Sequence, residues 1–211
     1  MARCQVLKGA PCDASRPFFL FLYLWDPHYD YVPSPPYDRR FVTPACEPFD
    51  LAHWETRDDV EGLSPARQAY VWSQYEGEIR ATDDLLGRLF SRLQEAGLWD
   101  GTLVVVTADH GEEFFEHGKR GHKNNLYVES VNVPLIVKYP GAGARRRDTR
   151  VASLVDVLPT VLEVTGLTAN SHRDGHSLLA AAMPDRAVLL ELLSFSYQGR
   201  KFPAPLHWRG I

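Results

Sequence analysis

Three largely apolar runs without polar alternation punctuate this chain: FFLFLYLW from Phe18 to Trp25, LVVVTA from Leu103 to Ala108 and VPLIVKY from Val133 to Tyr139. Short runs of this kind, rich in β-branched and aromatic residues, predict strands buried on both faces, as in a parallel sheet. Between the first two, Tyr75, Ile79, Thr82, Leu86, Leu89 and Leu93 recur at spacings of four and three. That period predicts a helix with one packed face, leaving Glu76, Glu78, Arg80, Asp84, Arg88 and Arg92 on its outer surface. Ser64 as N-cap with Pro65 in the first turn starts this helix, and Gly97 ends it. Trp99-Asp100-Gly101 then leads into the second strand, the helix-to-strand half of a right-handed crossover unit. After the third strand, Gly141 to Gly143 makes a turn. Asp156 caps a helix that Pro159 opens and Gly166 stops. A loop and short helical turn follow over His172 to Leu179, then one more strand over Ala187 to Leu193; beyond Ser194 no period is readable. The pattern predicts an α/β protein with a mostly parallel central sheet flanked by helices.

In such a sheet, ligands sit beyond the carboxyl ends of the strands. The second strand stops there at Asp109-His110-Gly111. A carboxylate beside an imidazole presents an oxygen and a nitrogen to one divalent cation, and the glycine turns the backbone without adding a side chain. The dipeptide by itself is equally compatible with Asp109 capping a turn and His110 serving as a satisfied loop histidine. The following loop carries His117, Lys119, Arg120, His122 and Lys123. Its Glu112, Glu113 and Glu116 suit the start of a short helix, where the partial positive charge favours carboxylates, more than extra metal ligation. His110-Gly111-Glu112 lacks the H-E-x-x-H order of a zinc protease. At the end of the first strand stand Asp26-Pro27-His28, followed by a loop from Tyr29 to Pro48 rich in proline and tyrosine, which suits an entrance wall.

Composition narrows the class. The chain's 211 residues bury one substantial core, and two full domains would be a squeeze. A net charge of -4 gives no basic footprint for nucleic acid, and Arg145-Arg146-Arg147 reads as a solvated loop. Cys4, Cys12 and Cys46 have neither metal spacing nor the even number of a closed disulfide framework. No apolar run reaches the roughly 20 residues of a membrane-spanning helix, and the first residues lack the apolar core of a signal peptide.

ADHGEEFFEHG followed by GHKNNLYVESVNVPLIVKYPG resembles the later part of the sulfatase catalytic domain, in the alkaline phosphatase superfamily. PFFLFLYLWDPHYDYVPSPPYDRRF upstream and SLVDVLPTVLEVTGL downstream resemble flanking blocks of the same family in the same order, so the likeness spans about Pro17 to Leu179. The resemblance implies an alkaline-phosphatase-like fold and hydrolysis of a small-molecule or glycan sulfate ester. It implies a divalent metal, Ca2+ before Mn2+ or Zn2+, on Asp109 and His110. His28, His122 and Lys123 are implied to act on the substrate anion or its leaving group, with His122 or Lys123 as the acid. It also implies a formylglycine nucleophile made from Cys or Ser in a C/S-x-P/A-x-R context. Cys12-Asp13-Ala14-Ser15-Arg16 has that minimal form, but runs straight into the first predicted strand, where the family motif enters a helix. The nucleophile and remaining ligands are therefore expected outside this chain. Residues 1–16 would be an irregular segment, 17–193 a partial catalytic domain and 194–211 a tail. A phosphodiester or phosphonate monoester hydrolase of the same superfamily, or a non-catalytic fragment, are the competing readings.

Overall fold

The computed structural model describes residues 17–54, 62–122, 125–141, 143, 146–168, 174–180, 186–197 and 200–210, with side chains described only as far as residue 192. The chain forms two compact units, Met1–Phe90 and Ser91–Ile211. The Cys12–Arg16 segment, its Cys4 neighbour and Lys123 lie outside the described residues.

In the first unit the proline-rich loop wraps the first half of a long helix. It contains a single helical turn, α1 (Tyr37–Arg40), and precedes α2 (Pro65–Glu95). The ends of α2 are those its sequence predicts. The Ser64 hydroxyl accepts the Arg67 N–H at 3.3 Å, and Gly97, at φ 68°, takes the left-handed conformation beyond the last turn. The core comprises Tyr31, Leu51, Trp54, Leu63 and Val71. Tyr31 meets Trp54 and Tyr75 edge-on, with ring centroids 6.2 and 5.7 Å apart. The Asp30 carboxylate accepts the backbone N–H groups of His53 (3.0 Å) and Trp54 (2.6 Å), which holds the Trp54 turn against the loop. Gly77 is the point of closest approach: a Cβ there would lie 2.7 Å from the Tyr37 carbonyl oxygen and 2.8 Å from Pro33 Cγ.

Two expectations fail here. Phe18–Trp25 joins no strand ladder, and Phe19 is 83% exposed. An apolar sequence supplies the faces of a strand but not a neighbour for its backbone, and no described segment pairs with it. The buried face of α2 is also rotated from the apolar stripe. Val71, Ser73, Gln74, Gly77 and Glu78 are inside, whereas Ile79 is 44% exposed. Glu78 is buried because it has backbone donors to accept, a matter on which hydrophobic period is silent.

The second unit is built on β1 (Val104–Thr107), which pairs with β4 (Leu135–Lys138) in antiparallel register, Val104 opposite Lys138 and Thr107 opposite Leu135. Both strands fall where the apolar runs predict them, but all three two-stranded ladders among the described residues are antiparallel. The α/β character stands; the parallel arrangement is not what these ladders show. Apolar residues on both faces report burial, and strand direction depends on how the connection returns. Here it returns beside its start, since the Thr107 hydroxyl donates to the Pro134 carbonyl at 2.8 Å. Lys138 closes the other end, donating to the carbonyls of Trp99, Asp100 (3.1 Å) and Thr102 (2.9 Å).

Between β1 and β4, a small hairpin of β2 (Glu113–Phe114) and β3 (Arg120–Gly121) precedes the helical turn α3 (Val128–Val131). The acidic run therefore enters a strand and not the expected helix start, because Gly118, at φ 72°, turns the chain back. A 3-10 turn over Leu154–Asp156 leads into α4 (Val157–Thr165), which Gly166 ends at φ 69°. Asp156 accepts the N–H of Ser153 and of His176, each at 2.8 Å, and is ion-paired with Arg186. Where the sequence shows no readable period, β5 (Leu190–Tyr197) and β6 (Arg200–Gly210) pair from Leu190 opposite Gly210 to Tyr197 opposite Arg200.

Candidate functional site

The end of β1 delivers Asp109 and His110 into a loop whose other wall is α3. Gly111 makes that approach possible, because a Cβ there would lie 2.0 Å from the Glu129 carbonyl oxygen. Its N–H donates to the Ser130 carbonyl at 2.8 Å. Close approach of two backbones, more than freedom to turn, explains the glycine.

His110 Nδ1 lies 2.9 Å from the Gly111 carbonyl oxygen. A carbonyl only accepts, so Nδ1 carries a proton, and the tautomer this selects has its lone pair at Nε2. Nε2 lies 3.8 Å from Asp109 Oδ1. The Asp109 side chain is 72% exposed. Two donors at that separation can belong to one coordination shell, since such ions bind at about 2.0–2.6 Å. The pair thus fits a divalent cation as part of its shell. Among the described residues, no group of three or more His, Cys, Asp or Glu is disposed to hold a metal.

His122 stacks on His110, with ring centroids 3.8 Å apart and planes inclined by 29°. Its Nδ1 lies 3.1 Å from Glu112 Oε1, and both side chains are buried. A carboxylate accepting from Nδ1 fixes the ring's orientation. His117 stacks on Tyr127 at 3.7 Å, with Nε2 3.3 Å from Glu129 Oε2. Glu113, next to Glu112, is 1% exposed. It accepts the backbone N–H groups of His117 and Lys119 and the side-chain amide of Asn125.

Asp109, His110 and His122 are therefore brought together in the second unit. His28 belongs to the first. Its Nδ1 donates to the Tyr29 carbonyl at 2.6 Å, and its ring lies against Trp25 and Tyr29 with centroids 4.2 and 4.1 Å away. Its backbone N–H, with that of Val32, donates to Glu78 at 3.2 and 2.8 Å. Sequence reasoning missed Glu78, Glu112, Glu113 and Asn125 as partners of these residues. A hairpin signal existed for the acidic pair, in the Gly-containing turn between Phe114 and Arg120.

The solved structures that this α/β chain resembles are alkaline-phosphatase-like hydrolases. The phosphonate monoester hydrolase of Agrobacterium radiobacter superposes with a TM-score of 0.58 at 32% identity, over 63% of this chain and 28% of that one. The chain belongs to the sulfatase family of the alkaline phosphatase superfamily, whose family model matches residues 6–167. It is 32% identical over 203 residues to the multifunctional alkaline phosphatase superfamily protein PehA of Trinickia caryophylli, covering 82% of this chain and 38% of that protein. It is 38% identical over 108 residues to arylsulfatase K of Bos taurus, covering 51% and 20% respectively. The chain thus spans under two fifths of either curated relative.

Proposed function

We propose that this chain carries part of the active site of a metal-dependent sulfuric ester hydrolase. What supports the reading is one juxtaposition in a sulfatase-family chain: the Asp109–His110 pair at the end of β1, stacked on the buried His122–Glu112 dyad. Asp109 and the lone pair of His110 Nε2 would hold the cation, Ca2+ before Mn2+ or Zn2+. When bound, that cation supplies electrostatic stabilisation of the ester's anionic oxygens. His122, oriented by Glu112, gives a proton to the departing alcohol. For His28 and Lys123 the family resemblance supports a role toward the substrate anion, an ammonium adding charge where negative charge grows. Two ligands fall short of the six to eight oxygens of a calcium shell. The remaining ligands and a formylglycine nucleophile are accordingly assigned to sequence outside this chain.

Calorimetric titration of the 211-residue chain with Ca2+, Mn2+ and Zn2+, with Asp109→Ala alongside, tests the metal assignment. Weak binding that disappears in the variant is expected; identical responses of the two proteins refute it. Negligible turnover of para-nitrophenyl sulfate by the chain alone is expected, and brisk turnover overturns the partial-site reading. A phosphonate monoesterase is the second reading, favoured by the likeness to the Agrobacterium enzyme. In-frame coding sequence upstream of Met1 separates the two: a Cys-X-Pro-Ser-Arg segment is expected, and an unmodified Thr or Ser nucleophile favours phosphonate.

A further inference from the structure

The hairpin and α3 are joined by a closed circuit of buried, directional hydrogen bonds. Glu113 Oε1 accepts the backbone N–H of His117 (3.0 Å) and of Lys119 (3.3 Å), and its Oε2 accepts Asn125 Nδ2 at 2.6 Å. This turns Asn125 Oδ1 the other way, where it accepts the Tyr127 N–H and the Ser130 hydroxyl, both at 3.0 Å. Ser130 in turn offers its carbonyl to the Gly111 N–H at 2.8 Å, which returns the circuit to the residue after His110. Glu113, Asn125 and Ser130 are all buried. Water is therefore a poor substitute for a lost partner.

We propose that Glu113 and Asn125 are positioning residues, which act through the Gly111 turn and the hairpin to hold His110 and His122 in their stacked arrangement. The inference rests on the hydrolase reading for its consequence, and on the hydrogen-bond circuit for its geometry. Neither residue touches the reacting atoms. Their part is to fix where a metal-ligating imidazole and a proton-donating one stand relative to each other. Outer partners of metal ligands commonly have this part.

The direction of the bonds supplies the test. Glu113→Gln places an amide nitrogen against Asn125 Nδ2, donor facing donor. Asn125→Asp places a carboxylate against Glu113, acceptor facing acceptor. The double variant restores every bond with one donor reversed: the new amide oxygen still serves His117 and Lys119, its nitrogen donates to the new carboxylate, and that carboxylate still serves Tyr127 and Ser130.

The measurements are the imidazole proton resonances of His110 and His122, well below the unfolding temperature, and the affinity for Mn2+ by calorimetry. Each single variant is expected to shift both resonances and to weaken Mn2+ binding about ten- to a hundredfold, and the double variant to recover both. Single variants with lowered thermal stability but unmoved resonances would overturn the proposal, as would a folded double variant that recovers neither. Should the single variants not fold, Ser130→Ala removes one hydroxyl from the same circuit and must move the same resonances. A wild-type chain that binds none of Ca2+, Mn2+ and Zn2+ removes the metal assignment, and the resonances then decide the positioning alone.

Discussion

Replacing Glu78 by Gln tests whether burial or hydrogen bonding governs the carboxyl inside the first unit. Glu78 is 4% exposed, and it accepts the N–H groups of Val32 and His28. Those donors favour the ionised form. Burial and the nearby Asp26 charge oppose it and prevail, pushing the carboxyl from its ordinary 4.5 up to about 8. A raised acid binds its proton more tightly in the folded than in the unfolded chain. Its contribution is complete below pH 4.5 and is lost progressively as the pH rises toward 8. At about 1.4 kcal/mol per pH unit, the window amounts to about 5 kcal/mol. That is comparable with the roughly 5–15 kcal/mol total stability of many domains. Urea unfolding of wild type and Glu78→Gln from pH 5 to pH 9 reads the effect. At pH 5, where both side chains are neutral in the folded chain, the variant should be less stable by a pH-independent offset, because its amide nitrogen meets one of the two backbone N–H groups that Glu78 accepts. The wild type should then fall relative to the variant by several kcal/mol up to pH 8. Parallel curves across the range would refute the reasoning, because they would mean that the two backbone donors keep Glu78 ionised throughout.

Arg186→Met strands the fully buried Asp156 carboxylate and should destabilise the second unit by about 3–5 kcal/mol, measured by chemical denaturation. Burial raises the Asp156 carboxyl, but the hydrogen bonds from Arg186, His176 and Ser153 outweigh it and hold the group below the ordinary aspartate range. Its contribution is thus present above pH 3.8 and lost as the pH falls further; an unchanged acid-unfolding midpoint in Asp156→Asn would contradict this. Trp54→Ala empties the largest fully buried side chain of the first unit and should cost about 3–5 kcal/mol, while Phe19→Ala, at an exposed position, should stay within about 0.5 kcal/mol. Gly111→Ala cannot fit its Cβ against the Glu129 carbonyl. It should cost about 1–3 kcal/mol in thermal unfolding and abolish any difference in metal response between wild type and Asp109→Ala.

Family membership was legible in four ordered blocks, and the family model covers most of the same stretch. The cap at Ser64, the stop at Gly97, both apolar strands and the Gly166 end of α4 were equally legible. Each is local: a residue's own φ preference, or a side chain reaching a backbone group a few positions away, settles the outcome before distant contacts form.

Pairing and polar burial are of another kind. The antiparallel register of β1 with β4 depends on how the intervening chain folds back, and the lack of a paired strand for Phe18–Trp25 among the described residues depends on which segments are within reach. Glu78 and Glu113 carry the composition of surface residues and yet lie inside, because donors far along the chain converge on them. A carboxylate goes inside only where partners replace its water, and that condition is met by positions brought together in space. Residue types and their spacing set the local elements, and the family resemblance singled out Asp109, His110 and His122. Which buried acid holds each histidine-bearing turn was settled by long-range hydrogen bonds, to which hydrophobic periodicity is blind.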